Sequence, residues 1–354
     1  QKAGYDCVGA TMRLYEAQPN NGDAEETAEK IENAEDRAYD EDAVCGSSSA
    51  VKDAEAVAKH FGIPFHAYDY RNDFKDEVIC RFINTYIEGG TPNPCVECNR
   101  YMKFDKLYER ARLLGCEYIA TGHYARIEEY NGQYVLRKAL DETKDQSYVL
   151  YSLTQEQLAH TLFPLGNMRK TEVRKLAEAN GFFNADKPDS QDICFVPNGK
   201  YAEFLENYTG KAYPEGTFLS VDGTVLGKHK GIVRYTVGQH KGLGIPSEKP
   251  LYVKEIDVIE NAIILCEERD LYSKEVTVSD FHWISEESPQ NEMRCKAKVR
   301  YRQKEQAATV IPIGNNIVKI VFDEPQRAVT PGQAAVLYNG DIVLGGGTIS
   351  KFGT

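Results

Sequence analysis

The hydrophobic period of this chain changes once, and that change constrains the fold more than any other feature. Up to about Tyr208, short apolar runs alternate with helical periods. "YDCVGATMRLY" is an apolar run suited to a buried strand. "SSSAVKDAEAVAKHFG" opens on serines, repeats apolar residues at helical spacing and stops at Gly62. "IPFHAYDY" is the next strand. "KFDKLYERARLLG" places Phe104, Leu107, Tyr108, Ala111 and Leu114 on one helical face before Gly115, and "CEYIATGHY" is a further strand running into a Gly-His turn. Strand, helix, strand at this spacing predicts an α/β domain with a parallel sheet and ligands at the carboxyl ends of its strands.

Beyond Tyr208 the period is that of strands. "TFLSVDG", "PLYVKEIDVI", "NAIILC", "ATVIPIGNNIVKIVF" and "AAVLYNGDIVLGGG" are broken by Asp-Gly, Gly-Asn-Asn and Asn-Gly turns. The expected division is an α/β domain over 1–208, a small β-rich central domain over 209–271 and a C-terminal β-barrel over 272–354. No run reaches the roughly 18 apolar residues of a membrane helix, and no signal peptide opens the chain. Nine cysteines scattered over 354 residues do not resemble a secreted disulfide framework, so a reducing, cytoplasmic compartment is expected.

Net charge is −12, and it is localised. Ten acids and two bases between Asn21 and Asp42 account for −8, which reads as a solvated acidic insertion over 21–42. The remainder is near neutral, so an anionic partner is compatible with it. One stretch favours such a partner. In "RCKAKVRYRQK", Arg294, Lys296, Lys298, Arg300, Arg302 and Lys304 alternate with Cys295, Ala297, Val299, Tyr301 and Gln303. A strand across it would line one face with six cations.

Candidate chemistry lies in loops. "TPNPCVECNRYMKFD" holds Cys95 and Cys98 with two residues between. No second CxxC exists to complete a Cys₄ zinc site. The two thiols are either incidental, or reactive just ahead of a helix starting at "NRYMKFD", where Arg100 and Lys103 would favour a thiolate. Cys194 in "DSQDICFVPNGKY" is a structural thiol or a third reactive one. Gly122 permits close approach of a nucleotide at a strand end, beside His123. "KDQSYVLYSL" is a polar clamp or a helix cap, and "GKHKGIVRYTVGQHKGLGI" carries Lys228, Lys230, Arg234 and Lys241 without an acid.

Together, "GATMRLY", "TPNPCVECN", "ATGHYARI", "KDQSYVLYSL", "DSQDICF", "YTVGQHKGLGIP", "VRYRQ" and "TPGQAAVLYNGDIVLGGGTI", in this order, resemble the bacterial tRNA-specific 2-thiouridylase family. The resemblance implies a PP-loop ATP-pyrophosphatase-type α/β domain, a connector and a β-barrel. It also implies ATP-dependent 2-thiolation of the wobble uridine of tRNA anticodons, with Mg2+ accompanying ATP. ATP adenylates the uracil C2 oxygen, and sulfur then arrives from a cysteine persulfide loaded by a sulfur-donor protein. By motif position Cys194 resembles the persulfide carrier. Cys98 resembles the thiol that releases the sulfur through a transient disulfide. Asn93, Pro94 and Cys95 match the segment meeting the target base, which must leave its stack. Met12 and Gly122 match nucleotide contacts. His123, Lys144, Asp145, Gln146, Arg300, Tyr301 and Gln333 match tRNA contacts, and the cationic strand is then expected to face the RNA backbone.

Two departures from the family pattern open alternatives. The family's Ser-Gly-Gly-Val-Asp-Ser phosphate loop would precede "AGYDCVGATM", whereas the sequence starts at Gln1, so a non-catalytic tRNA-binding protein is one rival reading. A ligase of the same fold acting on a small molecule is another, against which the basic barrel argues. Cys95 stands where many members carry an aspartate. Cys95, Cys98 and Cys194 could then hold an iron–sulfur cluster that carries sulfide in place of a persulfide.

Overall fold

In the computed structural model, the residues described are 4–15, 46–182, 193–196, 199–285 and 287–351. The acidic insertion over 21–42 and Cys45 lie outside them. β1 (Gly9–Arg13) pairs in parallel with β2 (Phe65–Asp69), Gly9 opposite Phe65. The crossover between them is α1 (Ser48–Phe61). Its start is fixed by Ser47, whose Oγ accepts from the Ala50 N–H, and its end by Gly62 at φ 63°. A helical run follows, from α2 (Arg71–Phe74) through a π-helical stretch (Lys75–Ile79) into α3 (Cys80–Ile87). Phe74, Val78, Phe82, Ile83 and Tyr86 bury its inner face.

The CxxC segment forms α4 (Pro94–Glu97), a π-helical stretch (Cys98–Lys106) and α5 (Leu107–Leu113). The apolar face expected here is only partly realised. Phe104 is fully buried, but α5 buries no residue and Leu114 is 44% exposed. β3 (Ile119–Ala120) lies parallel to β6 (Thr161–Leu162). Between them comes a hairpin, β4 (Ala125–Tyr130) and β5 (Gln133–Lys138), turning on Asn131 and Gly132 at φ 52° and 76°. α6 (Gln155–Ala159) carries a capping box between Thr154 and Gln157, and α7 (Lys170–Ala179) and α8 (Tyr201–Thr209) follow. Among the described residues the parallel sheet is present as two separate pairs, β1–β2 and β3–β6.

β7 (Gly216–Ser220), β8 (Val225–His229), β9 (Tyr252–Asp257) and β10 (Ala262–Cys266) form a four-stranded sheet in the order β8-β7-β10-β9. Six further strands close a barrel: β11 (Tyr272–Trp283), β12 (Met293–Lys298), β13 (Gln306–Gly314), β14 (Ile317–Arg327), β15 (Ala334–Asn339) and β16 (Ile342–Ile349). Their order is β11-β14-β13-β12-β15-β16, and pairing of β11 with β16 completes the ring. The β4–β5 hairpin of the first region adds to the barrel sheet where Arg137 meets Ile342.

The hydrophobic cores ignore the boundaries that the sequence suggests. One cluster joins Phe82, Phe195, Phe218 and Val253, spanning α3 to the four-stranded sheet. A second joins Phe104, Tyr148, Val336 and Tyr338, spanning the CxxC segment to the barrel. The third fills the barrel itself around Val278, Val299 and Phe322. The CxxC segment therefore lies at a seam between two cores, where small displacements are resisted by close packing.

Candidate active site

The helix carrying the two thiols starts earlier than the sequence reading expects. Pro94 occupies a first-turn position, where its missing N–H costs nothing, so Cys95 and Cys98 lie within the helical run rather than ahead of it. Cys95 is exposed, whereas Cys98 and Cys194 are half-buried, and none of the three is in a disulfide. Cys98 and Cys194 pack against the same core cluster, together with Tyr101 and Ile193. The cations expected to favour a thiolate have other partners. Arg100 Nη1 pairs with Asp280 at 2.5 Å, and Lys103 Nζ lies 3.4 Å from His123 Nε2.

Ahead of the thiols, the Thr91–Pro94 loop is fastened to the barrel. Gln333 Nε2 donates to the Thr91 carbonyl at 2.9 Å and the Pro92 carbonyl at 3.2 Å, and the Thr91 N–H donates to Pro331 at 2.8 Å. Gly332 makes the approach feasible. At φ 85°, a Cβ there would stand 2.6 Å from Thr85 Cγ2 and 3.0 Å from the Thr91 nitrogen.

A second group is linked to Cys95 through Tyr301. Tyr301 Oη donates to the Asp145 carbonyl at 3.2 Å, and burial with the charges of Asp145 and Cys95 pushes the Tyr301 hydroxyl pKa up. Asp145 is itself fixed, accepting from the Ala139 and Ser147 N–H groups at 3.0 and 3.2 Å and from Ser147 Oγ at 2.8 Å. Gln146 Oε1 accepts from the Tyr124 N–H at 2.9 Å. Lys144 is half-buried beside it. Lys298 Nζ sits 5.5 and 5.6 Å from the ring centres of Tyr148 and Tyr301, and burial lowers its pKa.

The structure corrects the cationic strand. β12 ends at Lys298, and residues 299–303 form bends and turns in place of a continuing strand. The inward set, Cys295, Ala297 and Val299, follows the expected alternation. The outward set does not form a rail. Arg294 is bidentate to Asp323, with contacts of 2.7 and 2.6 Å, and Lys298 lies against the two rings. Arg300 bends inward: its Nη2 donates to Ala328 O and Thr330 Oγ1, both at 2.7 Å, and lies 3.3 Å from Val237 O. Lys296, Arg302 and Lys304 are exposed.

His123 is 7% exposed and neutral, because burial and then the Lys103 charge push its pKa well down. Lysine only donates, so Nε2 accepts and Nδ1 carries the proton toward Thr121 Oγ1, 2.7 Å away. Met12 and Gly122 stand at the carboxyl ends of β1 and β3, where a parallel sheet offers ligand sites. The Met12 side chain is buried, which leaves its main chain for contact. Among the described residues, a Cβ at Gly122 would meet only Leu165 Cδ1, at 3.7 Å, so none of these neighbours requires glycine there.

One feature escapes sequence reasoning altogether. A cleft of about 260 Å³ opens between the CxxC helix and the barrel, with Arg81, Asn93, Pro94, Glu97 and Asp280 in its wall. Burial raises the Glu97 carboxyl pKa against the opposing charges of Arg81 and Arg100. The Arg81 and Arg100 guanidinium groups lie 4.6 and 5.3 Å from the Tyr101 ring centre. Among the described residues, no three His, Cys, Asp or Glu side chains are gathered as metal ligands, so Cys95, Cys98 and Cys194 do not form a ligand set in this conformation.

Residues 1–198 match the family described as tRNA methyl transferase HUP domain, 202–267 the tRNA methyl transferase PRC-barrel domain and 273–349 the aminomethyltransferase beta-barrel domain. The tRNA-specific 2-thiouridylase MnmA of Clostridioides difficile (strain 630) is 46% identical over 353 residues, covering 99% of this chain and 93% of that protein. The protein of the same name from Acetivibrio thermocellus is 45% identical over 348 residues, covering 98% of this chain and 92% of that protein. For the Symbiobacterium thermophilum protein the values are 44% over 351 residues, 98% and 86%.

Proposed function

This chain belongs to the tRNA-specific 2-thiouridylase family, and we propose that it replaces the C2 oxygen of the wobble uridine in tRNA anticodons with sulfur. The family descriptions carry a methyl-transfer name, and the full-length relatives a thiolation name. Paired thiols are what thiolation uses and methyl transfer does not need. The observation that carries the reading is the seam itself. One short segment holds Asn93, Pro94, Cys95 and Cys98, borders the core that Cys194 also borders, and is fastened to the barrel by Gln333.

A uracil C2 carbonyl is a poor electrophile. Its oxygen attacks the α-phosphorus of ATP, pyrophosphate leaves, and C2 now carries AMP as leaving group. The terminal sulfur of a Cys194 persulfide adds to C2, and AMP departs with the former uracil oxygen. Cys98 thiolate then attacks the Cys194 sulfur, the S–S bond to the substrate sulfur breaks, and thiouridine leaves as a Cys98–Cys194 disulfide forms. An external dithiol reopens that disulfide. A persulfide-bearing donor protein reloads Cys194. ATP would bind at the strand ends near Met12 and Gly122, and Mg2+ would travel on its phosphates. Asn93, Pro94 and Cys95 receive the extruded base, and Lys144, Asp145, Gln146, Tyr301 and Gln333 line the approach of the anticodon arm. Among the described residues no helix is long and apolar enough to cross a membrane, and the reading places the reaction in the cytoplasm, with its substrate.

The test is thiolation of transcribed tRNA by iron-free protein supplied with ATP and a persulfide donor, read as 2-thiouridine by nucleoside mass spectrometry. Turnover supports the persulfide route. Strict dependence on reconstituted iron and inorganic sulfide overturns it in favour of a cluster.

A further inference from the structure

We propose that Asp280, a residue of the barrel, positions Cys98 for sulfur release by holding Arg100. The inference rests on the reading that Cys98 performs that release. Asp280 stands inside β11 where pairing with β16 shifts register between Ser279 and His282. Its backbone is left-handed, φ 48°, a conformation that glycine, asparagine and aspartate tolerate best. The bulge is rigidly seated. The Phe281 N–H donates to Asn316 O at 2.9 Å, and Gly345 packs so closely that a Cβ there would stand 2.2 Å from His282 O. Asparagine would serve that backbone equally well. What aspartate adds is charge, and the carboxylate meets Arg100 Nη1 at 2.5 Å across 180 residues of sequence.

Arg100 follows Cys98 by two residues in the π-helical stretch, where each turn is wider than in an α-helix and is less firmly specified by its own hydrogen bonds. The segment therefore depends on external holds. Gln333 and Pro331 fasten it ahead of the thiols at Thr91 and Pro92, and Asn99 Nδ2 donates to Val149 O at 3.2 Å. Past Cys98, the charged hold on the barrel side is Arg100 on Asp280. A competitor stands ready. Glu97 lies three residues before Arg100, within electrostatic reach of it and on a neighbouring helical position, and its carboxylate makes no hydrogen bond or ion pair among the described residues. With Asp280 neutral, Arg100 turns back to Glu97 and the helix loses its anchorage on the barrel. A nucleophile must meet the Cys194 sulfur in line, so Cys98 is sensitive to such a rotation.

The experiment uses the full chain with Cys194 loaded as persulfide and tRNA bound, and measures single-turnover sulfur transfer. Asp280→Asn keeps the backbone conformation and removes the charge. Transfer should slow about tenfold to a hundredfold, the range that misplacement near 1 Å produces, while tRNA Kd and persulfide loading of Cys194 hold. Arg100→Gln should show the same loss, the double variant should be no worse than either single one, and Arg100→Lys should recover part of the rate. Wild-type transfer by Asp280→Asn beside an inert Cys98→Ser overturns this inference alone, as do losses that multiply in the double variant. Wild-type transfer by Cys98→Ser overturns both this inference and the reading beneath it.

Discussion

Arg300 gives the sharpest quantitative test, because alternation in the sequence and the folded chain assign it different work. In a cationic rail it would meet a phosphate, and Arg300→Ala would reduce the log–log salt slope of tRNA binding by about 0.7 to 0.9. In the structure its Nη2 has two hydrogens, and two acceptors at 2.7 Å, Ala328 O and Thr330 Oγ1, take them. Ala328 is a non-glycine residue at φ 50°, and its carbonyl is also the acceptor of Thr330 Oγ1. Gly238 of the central region packs here too, so close that a Cβ on it would stand 2.7 Å from Ala328 Cβ. Arg300 thus ties a strained barrel turn to the turn at Val237 and Gly238. Two charge-assisted bonds at about 1.5 to 3 kcal/mol each, less the cost of burying a guanidinium with no carboxylate partner among the described residues, leave a net loss of about 2 to 4 kcal/mol for Arg300→Ala. The assay is urea denaturation followed by tryptophan fluorescence, since the single tryptophan, Trp283, lies in the barrel, together with tRNA binding across a salt series. Unchanged stability combined with a reduced salt slope would refute the structural assignment and return Arg300 to the RNA.

Three further outcomes follow from the site. Cys194→Ser should abolish thiolation. Cys98→Ser should accept sulfur on Cys194 and fail to deliver it, and Cys95→Ser should retain turnover, all read by persulfide labelling beside nucleoside analysis. Gln333→Ala removes the bonds at 2.9 and 3.2 Å that fasten Thr91 and Pro92, so kcat should fall roughly tenfold or more, beyond any loss of tRNA affinity. A fall in affinity with kcat intact would confine Gln333 to contact with the RNA. Because burial raises the Glu97 pKa above its ordinary value of 4.5, the folded chain binds the proton more tightly than the unfolded one. Stability is therefore lost as pH rises through that raised value. Glu97→Gln should melt higher than wild type at neutral pH and match it below about pH 4, and equal melting at both would contradict the burial argument.

Local signals carried much of the fold. The serine start and Gly62 stop of α1, and the Asn315–Asn316 and Asn339–Gly340 turns of the barrel, are where turn and cap chemistry place them. Alternation also named the inward residues of this segment, Ala297 in β12 and Val299 just beyond it, both buried. It could not name the destination of the outward side chains. Lysine and arginine stems are long enough to bend to a ring, a carboxylate or a carbonyl, so period 2 fixes the side of departure and nothing beyond it. The helix start failed for a different reason. Asn93 makes no side-chain cap bond, so the true signal was Pro94 at a first-turn position, which is easily read as part of an extended Pro-x-Pro loop. For α5, helical periodicity gave only half-burial, with Leu107, Tyr108 and Ala111 packed against the cores and Leu114 left exposed, because an apolar stripe specifies a face and only a neighbouring element can cover it.

The site resisted reading for a reason common to its parts. Gln333 meets Thr91 across 242 residues, Arg100 meets Asp280 across 180, and Tyr301 meets Asp145 across 156. Each is a polar contact between a barrel residue and the first region, with no periodicity that would announce it. The hydrophobic clusters show why such contacts can be specific. Two cores cross from the first region into later ones and fix the relative placement of barrel and helix, after which a few directional bonds suffice to set the thiol segment. A motif can therefore mark Cys98 and Gln333 as important while leaving their relation invisible. The barrel, expected from the sequence to face RNA, braces the helix that carries Cys95 and Cys98, so under the proposed function RNA docking and thiol alignment would draw on the same strands.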